Sequence, residues 1–211
     1  MTISEPPQYG LAIHTTTPQL GIALNNFAGD SRHQVWDLGR DLSSSLHQYL
    51  REMLQPQTWQ NLQFIAVAKG PGGFTGTRMG VVAARTLGQQ LDIPVYGIST
   101  LAAVANSTLD SIKPDSLVAV QMEARREQLF VAIYQVSLQG IWSDYLADTT
   151  MSETQWQQTL ANIEQPWQLV KAPDKIAHTV DRVLALAYVQ YRQGLKSQWS
   201  DVFPFYGQHP V

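Results

Sequence analysis

The stretch KGPGGFTGTRMG, residues 69–80, decides how the rest of the chain is read. The apolar run at 64–68 before it has the length and composition of a buried strand, and the glycines end it abruptly. Thr75 is a suitable cap for a helix that continues to about Leu91. Pro94 then opens a short strand at 95–98, and Ser99 caps a second helix over 101–109. Strand, helix, strand, helix in this order predicts an α/β fold of parallel strands covered by helices. A glycine loop before a helix serves either as a cradle that aims backbone amides at an anion or as a tight structural turn. The spacing is not that of a Walker loop, because Arg78 stands two residues past Gly76, where a Lys-Ser or Lys-Thr pair is needed.

The helix after the loop is apolar over most of its circumference. On a wheel of about 100° per residue, Gly76, Gly80, Ala83, Ala84, Leu87, Gly88 and Leu91 fill one side. Met79, Val82 and Thr86 flank the opposite side, and only Arg78, Arg85 and Gln89 form a polar strip. The small residues at Gly76, Gly80, Ala84 and Gly88 let another backbone approach closely, although each glycine costs about 1 kcal/mol relative to alanine inside a helix. Packing on the parent sheet accounts for that small stripe. It leaves Met79, Val82 and Thr86 without cover, and these point to a helix from another subunit.

Upstream, YGLAIHTTTPQLGIAL at 9–24 reads as two strands around a turn at 15–19, and 31–38 supplies a third strand. Residues 43–54 place Leu46, Tyr49, Leu50, Met53 and Leu54 on one face of an amphipathic helix. After Lys113-Pro114-Asp115 the pattern changes to a hairpin, with strand-like runs at 117–121 and 129–136 around MEARREQ. Helices are expected at 152–163 and 174–192, and the aromatic residues of VFPFYGQHPV, 202–211, are expected to dock on a lobe. These features divide the chain into a first lobe, 1–112, which holds the glycine loop, and a second, 113–211, whose last helix is free to pack back on the first.

With 44% hydrophobic and 15% charged residues, the 211-residue chain is of a globular class able to bury a sizeable core. Fourteen Lys and Arg stand against 17 Asp and Glu, and only Arg125 and Arg126 are adjacent, so no basic stripe captures nucleic acid unaided. The lack of cysteine excludes disulfides, thiolate metal sites and thiol nucleophiles. Residues 1–10 lack the basic patch and apolar run of a signal peptide, and no apolar stretch approaches the roughly 18–20 residues of a membrane span, so a cytoplasmic protein is expected. His14, His33, His47, His178 and His209 fall in no recognised ligand spacing. No GxSxG elbow is present, Ser43 to Ser45 read as a helix start, and Glu123 beside Arg125 and Arg126 reads as a solvated hairpin tip.

Three segments, LAIHTTTPQLGIAL (11–24), KGPGGFTGTRMGVVAARTLGQQLDIPVYGISTLAAVA (69–105) and MEARREQLFVAIY (122–134), resemble in sequence and spacing the bacterial TsaB (YeaZ-like) family of tRNA threonylcarbamoyladenosine biosynthesis. PFY at 204–206 is a weaker echo, and GPGGFTGTR is the most specific part. The resemblance implies a two-lobed actin-like, Hsp70-like ATPase (ASKHA) fold, with mixed sheets flanked by helices. It also implies a non-catalytic subunit with no cofactor and no metal. In that family the related TsaD subunit transfers a threonylcarbamoyl group to the adenosine beside the anticodon. The TsaB-like subunit pairs with TsaD, or with itself as a homodimer, through helices of the first lobe. A TsaE ATPase completes the assembly, and tRNA is met only through the complex. On this chain the implied interface falls on Gly76, Met79, Gly80, Val82, Ala83 and Thr86, with Leu46 and Leu50 of the preceding helix.

Three positions depart from the family pattern. His14 stands where an Asp is usual, Leu42-Ser43 where a His-Ser pair is usual, and Glu123 where an Asp is usual. Loss of the first-turn carboxylate weighs against the rival reading, a nucleotide-binding enzyme of the same fold that uses the glycine loop for phosphates. A peptidase would need zinc ligands or a nucleophile constellation, and neither pattern occurs in the sequence.

Overall fold

The computed structural model describes residues 8–108, 112, 115–136 and 142–207. His209, Lys113-Pro114 and the ends of several expected elements lie outside the described residues. Three strands, β1 (Tyr9–His14), β2 (Gln19–Asn25) and β3 (Ser31–Asp37), form an antiparallel meander. Helix α1 (Leu42–Leu54) leads to β4 (Leu62–Ala68), which pairs parallel with β1. Helix α2 (Phe74–Leu91) then leads to β5 (Val95–Ile98), parallel to β4, so the first sheet has the order β3-β2-β1-β4-β5. Strands β1 and β4 are mostly apolar and buried along almost their whole length, Gln63 apart, because helices cover the sheet on both faces.

After α3 (Thr100–Asn106), a second sheet is built from β6 (Leu117–Glu123), β7 (Gln128–Val136), β8 (Trp142–Ser152) and β9 (Trp167–Lys171) in the order β8-β7-β6-β9. Strands β6 to β8 are antiparallel neighbours, and β9 joins parallel to β6 after α4 (Glu153–Ala161). Helix α5 (Val180–Arg192) returns to the first sheet.

Four buried clusters place these elements in five layers. Leu46, Leu50 and Leu54 of α1, with Val81 and Ala84 of α2, cover one face of the first sheet. Val180, Val183, Leu184 and Ala187 of α5 cover its other face. Leu101, Val104 and Ala105 of α3 pack on the inner face of the second sheet, and Trp156 and Leu160 of α4 on the outer face. Helix α3 also touches α5, so these two helices fill the junction between the sheets. This is the two-lobed α/β arrangement of mixed sheets flanked by helices that the resemblance implies.

Local expectations needed four corrections. The amino-terminal cap of α2 is Gly73 with no side-chain hydrogen bond, and Thr75 is an exposed residue of the first turn. Helix α3 stops at Asn106. Helix α5 begins at Val180, after a 3₁₀ turn over Ala177–Thr179, instead of at 174. Strands β8 and β9 were not anticipated; both are edge strands, and edge strands take their conformation from pairing more than from an apolar pattern. Among the described residues no helix is long and apolar enough to cross a membrane.

Candidate functional site

The glycine loop is occupied by the chain's own first turn. Gly73 N donates to the Thr16 carbonyl oxygen at 2.7 Å, and the Thr15 hydroxyl donates to the Gly76 carbonyl oxygen at 2.8 Å. A Cβ at Gly72 would overlap the Thr16 carbonyl oxygen, one at Gly76 the Thr15 carbonyl oxygen, and one at Gly80 the Thr15 hydroxyl. Of the two roles open to the loop, the geometry therefore favours the structural turn. Both ends of the loop are tied as well: Phe205 N donates to the Lys69 carbonyl oxygen at 2.7 Å, and Thr100 N to that of Gly70 at 2.9 Å. The closing segment thus docks at the junction, where Tyr206 lies on Phe74 with ring centroids 4.6 Å apart.

At the end of β1, His14 is fully buried, and neither ring nitrogen has a hydrogen-bond partner among the described residues. It pairs with Gly21, which abuts Ala177 and Val180 at the start of α5. Burial, helped by the nearby charge of His178, pushes its pKa down to about 3, so the imidazole is neutral at ordinary pH. A neutral, fully buried ring cannot do the work of a metal-organising carboxylate. Elsewhere, His33, His47 and His178 are exposed, and no three His, Asp or Glu of the described residues gather closely enough to hold a metal ion. Glu123, Arg125 and Arg126 lie exposed at the β6–β7 turn.

The residues expected at an interface separate into two groups. Leu46 and Leu50 are each 1% exposed and are spent on the first core, so their side chains are not available to a partner. Gly80 and Ala83 are buried too, and Gly76 is partly covered by the first turn. On the outer side, Val82 is 52% exposed, Thr86 is exposed and Met79 is half-buried against the core. Phe74, 40% exposed, extends this strip by two turns towards the amino terminus. It was missed because the helix was expected to start after Thr75. The closing segment covers another flank, where Arg85 lies 5.2 Å from the Phe203 ring centroid and 5.8 Å from that of Trp199. The free face of α2 is therefore narrower than its sequence suggests, and runs through Phe74, Arg78, Val82 and Thr86.

A polar cluster that the sequence did not single out lies between the lobes. Ser99 caps α3 by accepting from Leu101 N and Ala102 N, and its own proton goes to Asp148 Oδ1 at 2.8 Å. The Tyr134 hydroxyl donates to the same oxygen at 2.8 Å. Burial raises the Asp148 carboxyl above its usual range, while these two hydrogen bonds and the Lys69 charge pull the other way. Burial and the Asp148 charge push the Tyr134 phenol well up.

A family model described as "TsaD: tRNA N6-adenosine threonylcarbamoyltransferase" matches residues 38–197. The chain is similar to the tRNA threonylcarbamoyladenosine biosynthesis protein TsaB of Bacillus subtilis, with 32% identity over 161 residues, 74% of this chain and 67% of that one. It is 29% identical over 112 residues to the TsaB of Buchnera aphidicola subsp. Acyrthosiphon pisum, 53% of this chain and 50% of that one. The aligned regions thus span between half and two thirds of these relatives' length. Among solved structures, YeaZ from Pseudomonas aeruginosa superposes with a TM-score of 0.77 at 21% identity, covering 94% of this chain and 99% of that one. That likeness speaks to the fold.

Proposed function

The chain belongs to the TsaD family and, within it, stands with the TsaB proteins, and from this premise we propose that it is a non-catalytic subunit of tRNA threonylcarbamoyladenosine biosynthesis that binds a TsaD-like transferase. The observation that carries the proposal is the outer strip of α2. Val82 stays open to solvent, and Phe74 remains 40% exposed beside Tyr206, on a helix whose opposite face is committed to the core. Apolar side chains held on a rigid helix form a pre-organised docking edge, which a helix of a partner covers by ridge-into-groove packing. In the absence of that partner the same strip pairs two copies of this chain. A TsaE-like ATPase and tRNA join through the assembled complex.

A non-catalytic role is supported by the first turn. Its carboxylate position holds the buried, neutral His14, and the glycine loop is filled by Thr15 and Thr16. The test is co-expression with the TsaD-like protein of the same organism, followed by copurification and nucleoside analysis of modified tRNA. The two proteins should copurify, and modification should require both. A TsaD-like protein that modifies tRNA at full rate without this chain would overturn the proposal.

A further inference from the structure

Between the lobes lies a cleft of about 380 Å³, within the range of small-molecule sites and at a lobe junction, where such sites tend to form. Its walls come from five parts of the chain: the ends of β4 and β5, the start of α3, the second sheet, α5 and the closing segment. Lys69, Ser99, Tyr134, Asp144 and Asp148 are its polar groups with charge or a hydroxyl, and Gln190 stands at one side. Ile98, Ala102, Ala147 and Leu186 supply apolar wall.

Two features show a site built for a ligand with two opposite ends. The first is Asp148. Both protein donors fall on Oδ1, which fixes the carboxylate and leaves Oδ2 without a donor among the described residues. The second is Lys69. Its backbone is clamped on both sides, by the Ile98 carbonyl oxygen and by Phe205 N. Its stem lies over Gly97, where a Cβ would stand 3.3 Å from Lys69 Cδ. The Lys69 charge is near enough to act on Asp148, yet the ion pairs among the described residues are Arg32–Asp30, Lys175–Asp37 and Arg182–Asp181. A fixed carboxylate and a lysine with a braced stem thus line one cleft without forming a direct ion pair among the described residues.

We propose that this cleft binds a free amino acid as its zwitterion, with the ligand's ammonium on Asp148 and its carboxylate on Lys69. The apolar wall of Ile98, Ala102 and Leu186 takes an aliphatic side chain. A simple anion would meet Lys69 but also the carboxylates of the half-buried Asp148 and of Asp144, and a simple cation would meet those carboxylates but also Lys69. The site is independent of the α2 strip and of any role in tRNA modification.

The test is ligand-detected NMR and calorimetry on the full chain, with the twenty common amino acids as probes. At least one apolar amino acid should bind with a Kd of about 1 mM or below. Its N-acetyl form, which lacks the ammonium, and its methyl ester, which lacks the carboxylate, should each bind about tenfold or more weaker. Asp148→Asn and Lys69→Met should each give a similar loss while melting within about 2 °C of the wild type. Should either variant fail to fold, the two blocked ligands decide the matter on the unaltered protein. Equal binding of the N-acetyl form would reveal a plain anion site at Lys69 and overturn the proposal. So would the absence of binding by every amino acid at about 20 mM.

Discussion

The Thr15 hydroxyl donates to the Gly76 carbonyl oxygen at 2.8 Å and joins the first turn to the glycine-rich helix across 61 positions of sequence. Together with the bond from Gly73 N to the Thr16 carbonyl oxygen, it explains why Gly76 and Gly80 are tolerated along one edge of α2, whereas Gly88 makes room for Val95. The helix lies so close to the turn that backbone and hydroxyl occupy the room a methyl group would take. The propensity lost at the glycines is offset by this contact and by the burial of the helix face behind it.

Gly76→Ala should therefore destabilise the protein, although alanine is the better helix former by about 1 kcal/mol. The new methyl group meets the Thr15 carbonyl oxygen, a backbone atom held by its neighbours. Overpacking of this kind costs about 1–3 kcal/mol, so urea unfolding should show a net loss of about 1–2 kcal/mol. A variant more stable than the wild type would mean that the turn does not press on the helix.

Val82→Arg and Leu46→Ala should fail in opposite ways. Val82 is half exposed, so its replacement should change stability by no more than about 0.5 kcal/mol while abolishing both self-association and copurification with a TsaD-like partner. Leu46 is buried, so its truncation should cost about 2–5 kcal/mol. The Leu46→Ala protein that remains folded should still pair. Sedimentation velocity on both variants, beside denaturation curves, separates a docking strip from a core. Unchanged association of Val82→Arg would remove α2 from the interface.

How far the sequence was legible follows the same division. The first lobe could be read strand by strand, because β1, β2 and β4 are apolar runs cut by Pro, Gly and Thr, and α1 carries its own face. The second sheet was half legible. Its central hairpin announces itself by apolar content, whereas β8 is rich in Asp, Ser and Thr and is held as a strand by its ladder to β7. The site was harder to read. A helical wheel distinguishes the two sides of α2, but it does not show that Leu46 and Leu50 are already covered, nor that Trp199 and Phe203 return to cover Arg85. The Ser99, Tyr134 and Asp148 cluster joins residues 35 and 49 positions apart, and no local pattern marks it.

Nucleotide binding offers a direct check on the first turn. A phosphate entering the glycine loop would have to displace the Thr16 carbonyl oxygen from Gly73 N and clear the backbone packed on Gly72 and Gly76. Calorimetry of the isolated chain with ATP and magnesium should therefore show only heats of dilution up to about 1 mM, a ceiling corresponding to about 4 kcal/mol of binding free energy. Micromolar affinity would revive the enzyme reading.

The buried His14 should make the protein sensitive to mild acid. In the unfolded chain the imidazole takes up a proton near pH 6.5, whereas in the folded chain burial and the charge of His178 delay this to about pH 3. The unfolded state binds the proton first, so the stability contributed by His14 is present above pH 6.5 and is lost as the pH falls towards 3. By linkage the loss is about 2 kcal/mol between pH 7 and pH 5, and about 4–5 kcal/mol in all. Leucine has a similar volume and no proton to gain. Because neither ring nitrogen has a partner among the described residues, His14→Leu forfeits no hydrogen bond there. It should match or exceed the wild type at pH 7 and lose about 2 kcal/mol less than the wild type on going to pH 5. Urea titrations of both proteins at the two pH values measure the difference, and parallel losses would show that His14 is protonated in the folded state after all.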